Sequence, residues 1–480
     1  MASEELITLV VELSKRLEEQ AQQLQQQAQR IAELEAENQG LKELLSLEAA
    51  KKGSKPPKFT ENYSVEKHKG QGKSKRGKDA TGRRPQSAKL AQVDRTEDVY
   101  EAGVPKAECV ARGCQYVWRI EAGRAQYICY RFFTHPETER VPPLAGVRNR
   151  LSEYGLEVIL IVAYLPYWVG ISLDHTCGVV EFFTGLALSK SQANSLLSQL
   201  SNDWQEAYDS IAELLSYQLV IYIDETGWRV GKDSCYTWAF STAMHVLFRC
   251  GVGRGKAEAQ VIVGEKFAGI GVTDDYGAYQ SLFTEHQLCW AHLLRKAIKL
   301  MLQQPTTSEY KTFLDELYRI YQQAICWQKD QRLSSGRTAK VERLQARIRK
   351  LCSRADTVID KEAMPVHEQT FIRLQNELVN GLDALFVFVV HPQVEPTNNR
   401  SERNVRREAE VRKGGRTSKT QQGAKRRGVI MSVLASLNTR LHAFTLQALL
   451  DEIARWIEDG ISLFQAELDD IKLAHPPPAA

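Results

Sequence analysis

The sequence lacks a hydrophobic segment long enough to cross a membrane. Its most apolar window, residues 158–173, contains Pro166 and is about 16 residues long, whereas a spanning helix needs roughly 20 apolar residues. No cleavable export signal is recognisable, and the nine cysteines are an odd number scattered along the chain. These absences favour a protein of the reducing cytoplasm over a membrane protein or a disulfide-stabilised secreted protein.

The chain also has little net charge, because 63 basic residues nearly balance 59 acidic ones and leave +4. The basic residues are clustered, which is typical of a surface that binds nucleic acid.

At 480 residues the chain is too long for one ordinary hydrophobic core, so about three structured parts joined by linkers are expected. The predicted fold class is a multidomain α/β protein.

Residues 1–50 carry a heptad pattern. Position a is taken by Val10, Leu17, Leu24, Ile31, Asn38 and Leu45, and position d by Leu6, Leu13, Gln20, Gln27, Leu34 and Leu41. An Asn at position a favours a parallel two-stranded register. The pattern predicts a coiled coil that joins the chain into a homodimer or a higher oligomer. The alternative is a single surface helix packed on the rest of the chain.

Residues 51–98 are predicted to be a basic, disordered linker. Between residues 51 and 89 there are thirteen Lys or Arg and three acids, with Gly and Pro throughout, so the segment cannot bury enough apolar surface to fold. It is either a solubilising spacer or a flexible arm that holds DNA phosphates. A leucine-zipper transcription factor is excluded, because its basic region is a continuous helix that precedes the zipper.

Residues 99–145 are predicted to form a small β module with short strands at 115–120 and 126–133. The module contains Cys109, Cys114, Cys129 and His135, and thiolate and imidazole are zinc ligands. However, the Cys-x4-Cys and Cys-x5-His spacings are looser than those of a zinc ribbon. Two alternatives therefore stand, a zinc knuckle and buried cysteines without metal.

Residues 146–218 are predicted to be helical. Residues 179–183, a turn at Thr184 and Gly185, and residues 186–200 have the layout of a helix-turn-helix, with Ser189 placed to cap the second helix. The second helix carries one Lys and no Arg. The pair is therefore at least as well suited to a structural role as to reading DNA.

Two apolar, strand-like runs deliver acidic residues. Asp224 and Glu225 follow the run that begins at residue 219, and Asp274 and Asp275 follow residues 270–273. From residue 219 to residue 273, the sequence predicts three strands, then a helix and then a fourth strand. Strand one is predicted to end at Asp224. This is the order of an RNase H-like fold, in which strands one and four are neighbours. Because carboxylates at neighbouring strand ends repel unless a divalent cation lies between them, a Mg²⁺ site is expected.

The spacing does not choose within each acidic pair. Successive residues of a strand point to opposite faces of the sheet, so at most one member of each pair can face the site. The choice between Asp224 and Glu225, and between Asp274 and Asp275, stays open at this level.

A third acid, Glu402, lies in a basic segment. Residues 398–427 contain eleven Lys or Arg and three acids, which favours phosphate binding over a merely solvated face. Asn398 or Asn399 is expected to cap the helix that carries Glu402. The candidates for DNA contact are Arg403, Arg406, Arg407, Arg412, Lys413 and Arg416.

Residues 293–390 are predicted to be an insertion of amphipathic helices with three apolar stripes. The stripes are Phe313, Leu317, Ile320 and Ala324; Val341, Leu344, Ile348 and Leu351; and Phe371, Leu374, Leu378, Leu382 and Leu385. The basic residues Arg343, Arg347, Arg349 and Lys350 form a solvated face or contact DNA. Residues 391–460 complete the core with helices at 425–441 and 444–458, and residues 461–480 are predicted to be a tail.

Four segments, IDETGWRV, TDDYGAY, CWAHLLRK and NNRSERNVR, occur in this order. Together they resemble the signature blocks of transposases of the insertion sequence 66 family, which are DDE enzymes with an RNase H-like catalytic core. The resemblance covers roughly residues 1–455. It implies that Asp224, Asp274 and Glu402 are the catalytic and metal-binding acids and that the cofactor is Mg²⁺ or Mn²⁺. The family usually has Gly at the position of Asp275 and tighter cysteine pairs in its N-terminal module.

Cys289 and His292, in CWAHLLRK, lie where the first part of the core, residues 219–292, passes from a strand into a helix. They are either a buried cysteine and a helix-start histidine, or neighbours of the active site beside the scissile phosphate. Two ligands alone make a zinc site improbable.

The resemblance implies a transposase that cleaves DNA at insertion-sequence ends and transfers the strands into target DNA by two-metal-ion chemistry. The implied partners are the element ends, the target DNA and small accessory proteins encoded nearby, and the implied location is the nucleoid in the bacterial cytoplasm. Two alternatives are an RNase H-like nuclease without strand transfer, and a catalytically silent DNA-binding protein derived from a transposase.

Overall fold

The computed structural model describes residues 92–474, except 139–140, 142, 280, 333–335 and 361. The predicted coiled coil and most of the predicted basic linker lie outside the described residues. All described residues belong to the compact unit Arg84–Ala480. They form a mixed α/β protein with two β-sheets.

The first sheet has three strands: β1 (Arg95–Tyr100), β2 (Val110–Glu121) and β3 (Arg124–Thr134). Strand β3 is central, parallel to β1 and antiparallel to β2. Ala122 and Gly123 connect β2 to β3 with φ values of 48° and 77°. A two-residue hairpin turn needs positive φ at both residues for its twist to match the twist of the two strands. Both hairpin strands are longer than the sequence predicts.

Four helices follow: α1 (Leu156–Ala163), α2 (Leu173–Thr184), α3 (Lys190–Asp203) and α4 (Gln205–Ser216). Helix α1 contains the first part of the most apolar window and is buried along nearly its whole length. Ser189 caps α3 as predicted, by accepting a hydrogen bond from the Gln192 amide. Among the described helices, none combines the length and apolarity that a membrane crossing needs.

The second sheet has five strands: β4 (Val220–Val230), β5 (Asp233–Ser241), β6 (Val246–Val252), β7 (Phe267–Thr273) and β8 (Phe283–Leu288). Their order is β6-β5-β4-β7-β8. Strands β4, β5 and β6 are antiparallel neighbours, whereas β7 and β8 run parallel to β4. Helix α5 (Lys256–Val263) connects β6 to β7. The predicted neighbours, strands one and four, are therefore paired.

Strand β4 does not end at Asp224, so that prediction is wrong. The strand continues to Val230 because its antiparallel pairing with β5 extends to Val230 and Asp233. Its parallel pairing with β7 stops earlier, at Tyr222 and Val272. Asp224 therefore lies inside β4, at a level where β5 still pairs with β4 but β7 no longer does.

The insertion and the C-terminal part are helical. Their elements are α6 (Trp290–Gln303), α7 (Ser308–Lys329), α8 (Arg337–Leu351), α9 (Val366–Asn380), α10 (Leu382–Leu385), α11 (Val387–Val390), α12 (Asn399–Lys413), α13 (Gln421–Arg440), α14 (Leu446–Asp459) and α15 (Leu463–Ala474). The predicted stripes of α7, α8 and α9 lie in one hydrophobic core together with Tyr222 and Val272 of the sheet. Ile221 and Ile223 belong to a second core with α1, α3, α4 and α13.

Helix α13 covers the edge of the second sheet. The hydroxyls of Ser432 and Ser436 accept hydrogen bonds from the amides of Phe248 and Val246 on β6, so the outer edge of that strand is satisfied. A Cβ atom at Gly428 would lie only 2.8 Å from the Phe248 carbonyl oxygen. Glycine is therefore needed where the helix crosses the strand.

The predicted tail is wrong for its described part. Residues Leu463–Ala474 form helix α15, with Phe464 and Leu468 buried. The helix packs on α4, where Ser210 donates a hydrogen bond to Gln465 and Glu213 pairs with Lys472. The two buried side chains are four residues apart and so occupy one face of a helix, which gives this segment an apolar stripe to bury.

Candidate active site

Asp224 lies within β4, and Asp274 directly follows the adjacent parallel strand β7. Val220 pairs with Ile270 and Tyr222 with Val272, and the same offset brings Asp224 level with Asp274. Neighbouring strands are about 4.8 Å apart. Because their pairing ends two residues before each acid, the main chains no longer bond to each other at this level. The two acids therefore lie at the same level of the sheet, where it opens, and the charge of Asp274 influences Asp224.

The adjacent acids, Glu225 and Asp275, have different surroundings. The Glu225 carboxylate accepts hydrogen bonds from Arg254 at 3.0 Å and from the Tyr279 hydroxyl at 2.5 Å. Asp275 is exposed. Asp274 instead accepts a hydrogen bond from the Tyr276 amide at 3.1 Å. This arrangement favours Asp224 and Asp274 as the inward-facing members of the two pairs.

Helix α12 begins against strand β4. Asn398 is fully buried, and its side chain donates a 2.7 Å hydrogen bond to the carbonyl of Ile223. Asn398 occupies the N-cap position but makes no side-chain cap hydrogen bond, so the predicted capping by this side chain is wrong. Its amide group fixes the start of the helix to the strand that carries Asp224. This contact sets the position of Glu402, one turn later in the helix, relative to the strand of Asp224.

Glu402 has a basic partner at the mouth of the site. One Nη atom of Arg295 lies 2.9 Å from each of the two Glu402 carboxylate oxygens. The Arg295 side chain is 54% exposed, whereas that of Glu402 is 14% exposed. On the inner side, the carboxylate lies 3.5 Å from Nδ1 of His292 and 3.9 Å from Sγ of Cys289. The predicted active-site neighbours therefore contact the predicted third acid.

The acids influence one another electrostatically. Burial, then the charges of Glu225 and Asp274, and more weakly that of Glu402, raise the pKa of Asp224 to about 8. Burial contributes most to this shift, and the neighbouring carboxylates add to it. However, the carboxylates of Asp224, Asp274 and Glu402 do not all lie within 4.8 Å of one another. Glu402 is turned toward Arg295, His292 and Cys289.

The predicted DNA-contacting residues of α12 and the following loop fall into two groups. Arg403, Arg406 and Lys413 are exposed. The other three contact the protein itself: Arg407 stacks on the Trp168 ring at 3.5 Å, Arg412 donates to the Gly227 carbonyl at 2.7 Å, and Arg416 donates to the Gly170 carbonyl. The first group is therefore better placed than the second to bind phosphates.

The four candidate zinc ligands of the first sheet do not form a cluster. Among the described residues, only Cys289, His292 and Glu402 form a group of three or more Cys, His, Asp or Glu whose ligand atoms lie within 4.8 Å of one another. Cys129 is buried inside β3, Cys109 precedes β2, and His135 follows β3. Cys114 and Cys129 share one face of the hairpin, but Cys109 and His135 lie beyond the ends of its strands, and the four do not come together as a group of three or more. The zinc knuckle prediction is therefore not supported, and the alternative of cysteines without a shared metal fits this geometry.

Sequence reasoning missed two arginines and one asparagine contact. Arg295 follows His292 by three residues and so lies on the same side of a helix, which is a usable signal within CWAHLLRK. Arg254, in the loop after β6, stacks over Tyr276 at 4.0 Å and binds Glu225. No sequence pattern indicates this contact or the bond between Asn398 and Ile223.

Comparison with known proteins gives one family. The profile described as Transposase IS66 family matches residues 153–426, more than half of the chain. A comparison with curated proteins gives no significant match. The matched region begins just before α1 and includes Asp224, Asp274, Cys289, His292 and Glu402. This chain belongs to the IS66 family of transposases, which supports a transposase-type function on DNA.

Proposed function

We propose that this protein is a DDE transposase whose catalytic acids are Asp224, Asp274 and Glu402 on an RNase H-like core. The observation that carries the proposal is the placement of two aspartates at the same level of the paired strands β4 and β7, with the pKa of Asp224 raised to about 8 by burial and by its acidic neighbours. The strand order β6-β5-β4-β7-β8, with the first three strands antiparallel and the last two parallel to the first, supports the RNase H-like assignment.

Mg²⁺ fits the donor set of the three acids. All three offer carboxylate oxygens, the ligands this hard cation prefers. Burial and the neighbouring acids raise the pKa of Asp224, so a cation bound there would stabilise its ionised form. Bound Mg²⁺ or Mn²⁺ would activate the attacking oxygen and stabilise the charge that develops at the phosphate. Asp224 must lose its proton to serve as a ligand. Glu402 must turn away from Arg295 to join the two aspartates.

The chain then performs two displacements at phosphorus. In the first, water breaks a phosphodiester bond at the element end and leaves a 3′ hydroxyl and a 5′ phosphate. In the second, this 3′ hydroxyl attacks a target phosphodiester, and the target's own 3′ oxygen is the leaving group. Neither step needs a covalent bond to the protein. Arg403, Arg406 and Lys413, exposed on the helix of Glu402, are suited to hold the phosphates on either side.

The remaining parts of the proposal concern assembly. The domain boundaries given above, a coiled-coil dimer or higher oligomer, a basic DNA-holding arm and small accessory proteins stay predictions from the sequence. In the same way, DNA reading by α2 and α3 is proposed only as an alternative to a structural role. The cellular site, the bacterial nucleoid, follows from DNA as the substrate.

The test is an assay of labelled DNA that carries the ends of the element, with Mg²⁺ or Mn²⁺, for cleaved and joined products. We expect both products from the wild type and neither from Asp224→Ala, Asp274→Ala or Glu402→Ala. Asp275→Ala is the matched control, since it removes an adjacent but exposed acid, and it should retain both products. Cleavage without joining would favour the nuclease. Tight DNA binding without product, also with accessory proteins present, would favour the silent DNA-binding protein.

A further inference from the structure

Three potential ligands of a softer metal converge beside the proposed Mg²⁺ site. Cys289 lies at the end of β8, His292 in the first turn of α6 and Glu402 in the first turn of α12. One ligand atom from each, Sγ, Nδ1 and a carboxylate oxygen, lies within 4.8 Å of the other two. The shortest separations are 3.5 Å from nitrogen to oxygen and 3.9 Å from sulfur to oxygen. Little movement would bring the three atoms onto one ion.

The sulfur and nitrogen atoms are available for a metal. Nδ1 of His292 is buried and makes no hydrogen bond. Sγ of Cys289 is buried and accepts a 3.1 Å hydrogen bond from the amide of Asn398, a contact that stabilises negative charge on sulfur. Cys289 joins β8 directly to α6 as the N-cap residue of that helix, and His292 lies in its first turn, so no longer loop separates the two ligands.

The chemistry of the three atoms selects the ion. Thiolate and imidazole are poor ligands for Mg²⁺ but good ones for Zn²⁺. Three protein ligands leave the fourth tetrahedral position open to water or to a substrate oxygen. Arg295 now neutralises Glu402 from the solvent side, and its half-exposed side chain can move into water when a cation takes its place.

We propose that Cys289, His292 and Glu402 form a Zn²⁺ site that competes with the Mg²⁺ site for Glu402. When Zn²⁺ is bound, the third acid is held away from Asp224 and Asp274, so zinc inhibits the enzyme. The ion site itself stands on the geometry alone, whereas its inhibitory effect rests on the proposed function. The sequence argues against zinc here, because only two ligands are close together in it. The third ligand, Glu402, lies on helix α12, 110 residues after His292.

The binding test uses the full chain freed of metals and titrated with Co²⁺, then with Zn²⁺. We expect one equivalent of Co²⁺ to give tetrahedral absorption and a sulfur-to-cobalt charge-transfer band, both lost on adding Zn²⁺. Cys289→Ser should remove the charge-transfer band, and His292→Ala should weaken binding at least about tenfold. The matched controls are Cys352→Ser, a buried thiol at the end of α8, and Cys129→Ser in the first sheet. A band that survives Cys289→Ser, or no band in the wild type, would overturn the proposal.

The functional test adds Zn²⁺ to the cleavage assay at fixed Mg²⁺. The zinc concentration for half inhibition should be at least about tenfold higher for Cys289→Ser than for the wild type, each compared with its own zinc-free rate. An unchanged value would remove the inhibitory role. The two proposals can fail separately: cobalt binding through Cys289 without DNA cleavage would refute only the transposase assignment, and acid-dependent cleavage without the cobalt band would refute only this site.

Discussion

Two parts of the chain contain cysteines and a histidine close together in sequence, and the fold arranges them differently. In the first sheet, Cys114 and Cys129 lie on neighbouring strands, while Cys109 and His135 lie outside those strands. Beside the second sheet, Cys289 and His292 meet Glu402. The first region has four potential ligands within residues 109–135, whereas the second takes its three from residues 289, 292 and 402. Among the described residues, only the second region brings three ligand atoms together.

The difference shows what sequence spacing can and cannot predict about a metal site. In the first sheet, the alternation of side chains places Cys114 and Cys129 on one face, and among the described residues no third ligand joins them in a cluster. At the second sheet, a strand end and the starts of two helices meet at one edge, and each contributes one side chain. Convergence therefore depends on tertiary contacts such as the bond between Asn398 and Ile223.

The largest expected effect comes from releasing helix α12, which holds the third ligand. Glu408 on α12 and Arg427 on α13 form a buried ion pair with contacts of 2.6 and 2.9 Å. Arg427→Met leaves a buried carboxylate unpaired and should lower the free energy of unfolding by about 3–5 kcal/mol, measured by urea denaturation. The double variant with Glu408→Leu should recover most of the loss. A loss below about 1 kcal/mol in the single variant would contradict this role of the pair.

The next effect concerns pH at the proposed Mg²⁺ site. With its pKa raised to about 8, folded Asp224 keeps a proton that the unfolded chain releases near pH 4. The metal-free protein should therefore lose stability as pH rises between these values. Mg²⁺ needs the ionised form, so its affinity should rise about tenfold per pH unit well below pH 8 and level off near it, or about 50-fold from pH 6 to pH 8. Asp224→Asn should flatten the stability profile, and equal Mg²⁺ affinity at both pH values would contradict the assignment.

A smaller effect is expected from Arg295, the counter-charge that distinguishes the second region from the first. Arg295→Ala removes the partner of Glu402, so DNA-free protein should bind Mn²⁺ or Zn²⁺ about fivefold more tightly, as a half-exposed ion pair of about 1 kcal/mol predicts. Calorimetric titration measures this change. Lys299→Ala, one turn further along α6, is the control for net charge and should have no comparable effect. Equal gains in both variants would mean that the pairing with Glu402 does not matter.

The smallest effect is expected in the first sheet. The Cys109 thiol is half-buried and makes only a long contact, 3.6 Å, to the Pro105 carbonyl. Cys109→Ser should change the free energy of unfolding by no more than about 0.5 kcal/mol, and it should leave cobalt binding unchanged. Loss of bound metal in this variant would reverse the comparison between the two regions.

The sequence predicted those features that depend on local patterns. The buried stripes of α7, α8 and α9 follow from apolar periodicity, and the cap at Ser189 follows from its place before a helix. The pairing of strands one and four follows from the element order of an RNase H-like fold. The structure confirms all three. The spacing of apolar residues also predicted roughly where the helices begin and end. The family resemblance, rather than the spacing, selected Asp224 and Asp274 within their pairs.

Other features depend on contacts that no local pattern contains. Strand β4 continues past Asp224 because β5 pairs with it there, and α15 is a packed helix because α4 offers it a surface. The approach of Glu402 to Cys289 and His292 joins segments more than 100 residues apart. Such contacts are set by how whole elements pack, so the sequence of each segment alone does not predict them.

The central claim is that Asp224, Asp274 and Glu402 together hold the catalytic cations. The most direct measurement is the number of Mn²⁺ ions bound per chain, by electron paramagnetic resonance, with a DNA end bound. Asp274→Asn should lose bound Mn²⁺, whereas Asp275→Asn, which changes the next residue in the chain, should bind as the wild type does. Equal binding by both variants, or loss in Asp275→Asn alone, would contradict the account.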